Sequence, residues 1–448
     1  MSLPTYRQYK DTAVEWLGEV PSHWEVLSIK RLSPVQRGAS PRPIDDPKYF
    51  DDEGEYAWVR IADVSASNGV LTETTQRLSE IGANLSVKLH PGDLFVSIAG
   101  TVGKPCIAAI KACIHDGFVY FPNLNVPPHF LFRIFEAGLC YSGLGKWGTQ
   151  LNLNTDTIGS IKIALPPGDE LSSILDFLDR ETSKIDALIA EQEKLLILLA
   201  EKRQATISHA VTRGLNPDAP MKDSGVAWLG EVPAHWEVSK VGYDCNVLSG
   251  FAFPSAGFSL DDADVSLLRG VNVGVGTLRW NEVVYWNRVA DDELDAYELR
   301  PGDIVLGMDR PWISEGLRVA RVSENDTPCL LLQRVATIRP NTKLDADYLY
   351  YLFRAGYFFH HCAPEMTGVS VPHISPEQIR SFVVPVPPVN EQSDIVAFVE
   401  AECMKLDALD VEGRRSIDLL KERRSALIAA AVTGKIDVRN AVPEELAA

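Results

Sequence analysis

The 448-residue sequence has no run of eighteen apolar residues, so no transmembrane helix and no membrane partner are expected. Residues 1–10 are polar and aromatic, lack the apolar centre of a signal peptide, and read as a loose lead-in. Seven cysteines, an odd number without a C-x-x-C pair, argue against a disulfide framework or a zinc ribbon and for reduced thiols in the cytoplasm. Cys329 and Cys362 with His360, His361 and His373 show no ligand-like spacing, so no metal is expected. Catalytic signatures are also missing. There is no G-x-x-x-x-G-K-[ST], no G-x-S-x-G and no H-E-x-x-H. Gly274-Val275-Gly276 lacks the third glycine of a dinucleotide site, and in Asn125-Val126-Pro127-Pro128 a valine separates asparagine from the prolines. The acids Asp261, Asp262 and Asp264 lack a lysine partner and read as a solvated loop. These absences predict a binding protein, with no cofactor, rather than an enzyme. Basic residues are scarce too: 43 Lys and Arg against 61 Asp and Glu give a net charge of −18. That excludes a simple polycationic DNA binder, because phosphate neutralisation supplies most of such affinity. Any nucleic-acid contact must concentrate its basic residues on one face or share them with partners.

What the chain does contain, it contains twice. Asp11 to Val26 and Asp223 to Val238 share 12 of 16 positions at an offset of 212, so the sequence is an internal duplication. The shared Trp-Leu-Gly-Glu-Val-Pro-x-His-Trp tag places Trp16, Trp24, Trp228 and Trp236 as apolar anchors beside a turn into a strand. A second repeat, at an offset of 221, is a long amphipathic segment from about 169 to 211 and again from about 390 to 432, each opened by a proline pair. Leu171, Ile174, Leu178, Ile185, Leu188, Leu195 and Leu199 form its first stripe at helical and near-heptad spacing. Some 43 residues of helix would span roughly 64 Å. Such a helix cannot bury its stripe alone, and the other copy is the obvious partner. Gly413 and Ser416 interrupt the second stripe and predict a bend or looser packing there.

Between tag and helix lie two strand-rich regions of about 140 residues. Ala57 to Ile61 alternates like a strand. Pro91-Gly92-Asp93 and Pro301-Gly302-Asp303 are turns feeding strands. Segments beginning at His129 and Tyr348 read as short helices, and 212–220 as a Gly- and Pro-containing linker. The expected segments are 1–165, 166–213, 214–386, 387–437 and a flexible tail, 438–448. Within the repeats the scaffold agrees while most of the globular sequence differs. Similar folds with different surfaces suggest recognition of two different short targets.

Base reading requires Arg and Lys for guanine and Asn and Gln for adenine, on loops that fit a groove. In the first half the candidates are Arg37, Arg42, Arg60, Lys104, Lys146 and Gln150, near strand ends and glycine turns. In the second half they are Arg269, Asn272, Arg310, Gln333, Arg334 and His373.

The double set of motifs resembles the specificity subunit of type I restriction–modification systems. The resemblance covers nearly the whole chain. It rests on the two tags, the two Pro-Gly-Asp turns, Gly148-Thr149-Gln150, Gly250-Phe251-Ala252-Phe253, Leu332-Gln333-Arg334-Val335, the Pro-Pro-x-x-Glu helix openings and the Ala-Val-Thr helix ends. It implies an α+β fold in which two mixed, strand-rich target recognition domains are joined and spaced by two long antiparallel helices packed as a coiled coil, with internal pseudo-twofold symmetry. It implies a non-catalytic subunit that reads a split, asymmetric target in double-stranded DNA. Two adenine methyltransferase subunits and motor-endonuclease subunits would be the partners. The acidic balance leaves a rival reading, a protein-interaction adaptor without a DNA role.

Overall fold

The computed structural model describes residues 3–144, 153–365 and 372–441. It contains two compact units, one formed by 1–192 with 415–448 and the other by 193–414. The units do not follow the five segments expected from sequence, because each takes one half of each long helix. Those helices are Gly168–Arg213 and Val389–Val432. In the first unit Leu171, Ile174, Phe177 and Leu178 share a core with Ile428, Ala431 and Val432, and Asp186 pairs with Arg424. Moving back along one helix is therefore moving forward along the other, which makes the pair antiparallel. In the second unit Ile207, Ala210 and Val211 lie with Ile395, Val396 and Val399, and Arg203 bonds Asp407, again antiparallel.

The stripe is only partly covered. Leu171, Ile174, Leu178, Ile185 and Leu199 are buried, but Leu188 and Leu195 are 47% and 40% exposed. A straight helix drifts about 20° per heptad from a 3.5-residue repeat, so a heptad reading loses the buried face after a few turns. The expected bend at Gly413 is absent: the helix runs through it unbroken and the glycine is buried.

Each globular part is built from two small sheets. In the first unit one sheet orders Gln36–Arg37, Phe118–Tyr120, Leu94–Ser97, Pro105–Ala108 and Val70–Leu71. The other orders Gln76–Leu78, Tyr56–Val59, Ala112–Ile114 and Val87–Leu89. The second unit repeats this with Cys245–Ser249, Val335–Pro340, Ile304–Gly307 and Val319–Arg321, beside Tyr285–Trp286, Val265–Leu268 and Cys329–Leu331. Alternation along a strand divides its side chains between two cores. Leu94 and Val96 face the core shared with the tag and helices, and Phe95 faces the core between the sheets. Ile304, Leu306 and Val305 divide in the same way. The turns before these strands need left-handed glycines, Gly92 at φ +98° and Gly302 at φ +90°. The short helices are Pro128–Ala137 and Ala346–Arg354.

The tags are clasps. In each, a short hairpin delivers a fully buried tryptophan, Trp24 or Trp236, to a core containing the C-terminal end of a long helix. Lys10 and Lys222 donate to the carbonyls of these tryptophans. The lead-in is not loose. Tyr6 is buried, Tyr9–Asp11 is a strand, and Asp437 N donates to Pro4 O at 2.7 Å. Arg439, expected in the flexible tail, pairs with Asp437 at 2.6 Å and lies over the Tyr6 ring. Residues 442–448 of that tail lie outside the described residues.

The two clasps differ in one detail. Glu170, in the first turn of its helix, accepts from Tyr6 Oη at 2.5 Å, Trp24 Nε1 at 2.8 Å and His23 Nε2 at 2.8 Å. Its repeat mate Glu391 bonds only His235, at 2.8 Å, and Trp236 Nε1 has no hydrogen-bond partner among the described residues. Burial alone would raise the Glu170 carboxyl, but the donors and the His23 charge outweigh it and hold it below its ordinary 4.5. Glu170→Leu leaves two buried donors unpaired and should cost about 2–5 kcal/mol, against about 1 kcal/mol for Glu391→Leu. A depressed carboxyl stabilises the fold above its unfolded value and ceases to as pH falls through the folded one. Melting temperatures of parent and Glu170→Leu should therefore converge on acidification below 4.5. Equal losses for the two substitutions at neutral pH would contradict the asymmetry.

Candidate nucleic-acid interface

The candidates that fall among the described residues gather at two kinds of place in each unit. The first is where the central strands of the larger sheet end. Gly38 N donates to Phe118 O and Gly250 N to Val335 O, both at 2.9 Å. A β-carbon on either glycine would lie 2.2 Å from a backbone carbonyl oxygen, of His115 or Leu332. Only glycine lets the loops approach this closely.

In the first unit this place is organised by Asp116. Arg37 Nε donates to its carbonyl, while Ser40 Oγ and Arg42 Nη2 reach its carboxylate at 3.3 Å. Arg42 is 78% exposed. His115 Nδ1 accepts from Gly117 N at 2.8 Å, and burial holds this imidazole below its ordinary pKa despite Asp116 at 3.7 Å. The neutral ring braces the loop.

In the second unit the organiser is Asp309. Its carboxylate binds Arg334 Nη1 at 2.7 Å and His373 Nδ1 at 2.6 Å, and its carbonyl accepts from Arg318 Nη1 at 3.0 Å. Burial would raise this carboxyl, but His373 and Arg334 hold it below its ordinary range. Arg310 N donates to Pro372 O at 2.9 Å and the Arg310 side chain is exposed. Gln333 is exposed beside Arg334. Four of the six second-half candidates, Arg310, Gln333, Arg334 and His373, thus meet on one loop cluster.

The second place is the end of a central strand in the smaller sheet. Arg60 follows Tyr56–Val59 and Arg269 follows Val265–Leu268, each just before a short helix. Their backbone N–H groups donate to Asp63 Oδ2 at 2.8 Å and Asn272 Oδ1 at 3.0 Å. The guanidinium of Arg60 bonds Gln76, and that of Arg269 bonds Glu282 O. Lys104 is tied to the same helix, donating to Ser65 O at 2.9 Å and Ser67 O at 2.8 Å.

One expectation needs correction. Asn272 is 1% exposed, and its Nδ2 donates to Arg279 O at 2.8 Å and Glu282 O at 3.3 Å. Its amide is buried and fully engaged, so it shapes the loop instead of facing a groove. Lys104 holds backbone carbonyls in the same structural way. Lys146 and Gln150 lie outside the described residues. The sequence reading missed Asp116, Asp309 and Arg318. Asp309 stands beside a candidate arginine, Arg310, and an acid adjoining a basic loop was the available signal.

Among the described residues no group of three or more His, Cys, Asp or Glu is arranged to hold a metal. Cys329 and Cys362 are buried, and burial pushes the Cys329 thiol up to about 12. Among the described residues no helix is long and apolar enough to cross a membrane.

Residues 21–197 and 268–404 match the family model described as type I restriction modification DNA specificity domain. The chain is 26% identical over 429 residues to the type I restriction enzyme MjaVIII specificity subunit of Methanocaldococcus jannaschii, covering 94% of this chain and 95% of the relative. It is 31% identical over 204 residues to the EcoAI specificity subunit of Escherichia coli, covering 46% of this chain and 34% of that one. Among solved structures, one chain studied for complex assembly and conformational transition of the type I R-M system matches with TM-score 0.63 at 17% identity, covering 92% of this chain and 98% of its own. The HsdS subunit of Thermoanaerobacter tengcongensis matches with TM-score 0.51 at 16% identity, covering 93% and 98%. At these identities the structures speak for the shared fold.

Asn272→Ala removes a buried amide that makes three hydrogen bonds and should lower stability by about 2–4 kcal/mol. Arg42→Ala, at an exposed pair, should change it by less than about 0.5 kcal/mol. Thermal unfolding of both variants checks the assignment. A silent Asn272→Ala would return that residue to the surface candidates.

Proposed function

Since this chain belongs to the type I restriction–modification DNA specificity family, we propose that it reads a split and asymmetric duplex target, one half-site per unit. The chain supplies specificity, and methylation and cleavage lie in partner subunits. The observation that carries the proposal is a contrast between the repeats. Tags, turns and helix ends agree residue by residue, while the same strand ends carry Arg37 and Arg42 around Asp116 in one unit and Arg310, Arg334 and His373 around Asp309 in the other. A duplicated scaffold imitates a twofold dimer, and a twofold reader takes two half-sites at a spacing set by its geometry. Unequal loops make those half-sites unequal. In this reading the long helices set the spacing.

The partners in this reading are two adenine methyltransferase subunits and motor-endonuclease subunits, in the cytoplasm. Leu188, Ile197, Leu409, Val411 and Leu419 are exposed apolar residues on the long helices, suited to a protein surface rather than to water. Partner subunits that enclose the duplex also make a net charge of −18 tolerable, since they share the phosphate contacts. The rival adaptor reading rests on that charge alone.

The test is to map methylated adenines in cells carrying the chain with its methyltransferase, and in cells lacking the chain. A two-part adenine-methylated motif present only with the chain is the expected result. Co-purification of the two proteins without any motif, and with equal binding to all DNA sequences, would refute the proposal and favour the adaptor.

A further inference from the structure

Strand register makes the two units comparable position by position. Phe118 pairs with Ser97, and Val335 pairs with Gly307. Ile98 N donates to Gly117 O at 2.8 Å, and Met308 N to Arg334 O at 2.9 Å. Gly117 therefore corresponds to Arg334. Two residues beyond Ile98 and Met308, Gly100 corresponds to Arg310. The first unit has glycine at both positions and the second has arginine at both.

The exchange goes against backbone preference. Gly100 has φ +66°, and Arg310 keeps that left-handed conformation at φ +43°; Arg334 is also left-handed, at φ +68°. A β-carbon crowds the carbonyl in this region, so glycine is the unstrained choice. Retained strain on an exposed loop points to a use for the side chain.

The surroundings show which arginine is available. The Asp309 carboxylate already holds Arg334 at 2.7 Å and His373 at 2.6 Å, and Arg318 fixes the Asp309 carbonyl. The Arg310 backbone is anchored to Pro372 O at 2.9 Å. Among the described residues none is a hydrogen-bond or ion-pair partner of the Arg310 side chain. A free guanidinium is thus mounted on a braced loop beside a carboxylate that Arg334 and His373 already occupy. Its planar fork matches O6 and N7 of guanine in the major groove.

We infer that Arg310 reads a guanine in the half-site of the second unit, with Asp309, Arg334 and His373 as positioning residues. This rests on the proposal that the chain reads a split DNA target. The first unit cannot make the same contact, because Gly100 has no side chain.

The test uses the full chain in complex with its methyltransferase, comparing parent, Arg310→Gly and Arg310→Lys. Arg310→Gly installs the residue of the first unit and relieves the backbone, so assembly persists and the melting temperature does not fall. In the methylation motif one guanine of one half-site becomes degenerate, and the other half-site is unchanged. Affinity for the parental site falls on the order of tenfold or more. Arg310→Lys keeps the charge but not the fork, and relaxes the same position. An unchanged motif in both variants overturns the inference. So does weaker binding that is uniform across sequences with a smaller salt slope, the signature of a phosphate contact. A parent complex with no defined motif defeats the underlying proposal instead, an outcome separable from a parental motif that survives substitution.

Discussion

An amphipathic helix of more than forty residues has no interior of its own, and its ends leave backbone groups unpaired. In each unit the tag and the elements that share its core cover such ends. The tag hairpin brings a buried tryptophan against the last turns of one long helix, and the tag's histidine against an acid in the first turn of the other. The strand following the tag pairs with the strand that precedes the helix, Glu25–Ser28 with Lys162–Leu165 and Glu237–Lys240 with Val383–Val386. The globular part between them is therefore a closed excursion whose entry and exit are fixed. Its loops can change without disturbing the helix ends.

The ion pairs between the helices obey the duplication. Asp186 with Arg424 and Arg203 with Asp407 are the same pair with the helices exchanged. They are not equal in setting, since Arg424 also reaches Glu136 at 2.9 Å from a largely covered position. Exposed pairs of this kind contribute little energy. They contribute register, because sliding one helix by a turn would separate opposite charges and misplace the buried tags.

The scaffold was legible because it is written twice: tags, Pro-Gly-Asp turns, helix ends and the strand-rich character all follow from agreement between the copies. The heptad stripe was legible in kind but not in extent, since spacing alone does not say which of Ile185 and Leu188 is covered. The lead-in was misread because Tyr6, Asp437 and Arg439 meet only through the fold. For the candidate loops, composition named basic and polar residues but not their surroundings. Asn272 and Arg310 look alike as polar residues near glycine, yet one is enclosed by carbonyls and the other projects freely. Burial at a loop depends on distant strands, and no local pattern encodes it.

The acidic total also takes on a different meaning at the loop level. Around Asp309 stand Arg310, Arg318 and Arg334, three arginines with one carboxylate among them, while the whole chain is strongly negative. Charge distribution, not net charge, governs contact with a polyanion, and a screened excess of acid elsewhere matters little beyond a Debye length of about 8 Å. An acidic body with small basic loops disfavours indiscriminate binding along DNA, because attraction to phosphate is then confined to those loops. For a protein whose task is discrimination, weak general affinity is an advantage, since selectivity depends on the difference between right and wrong sequences.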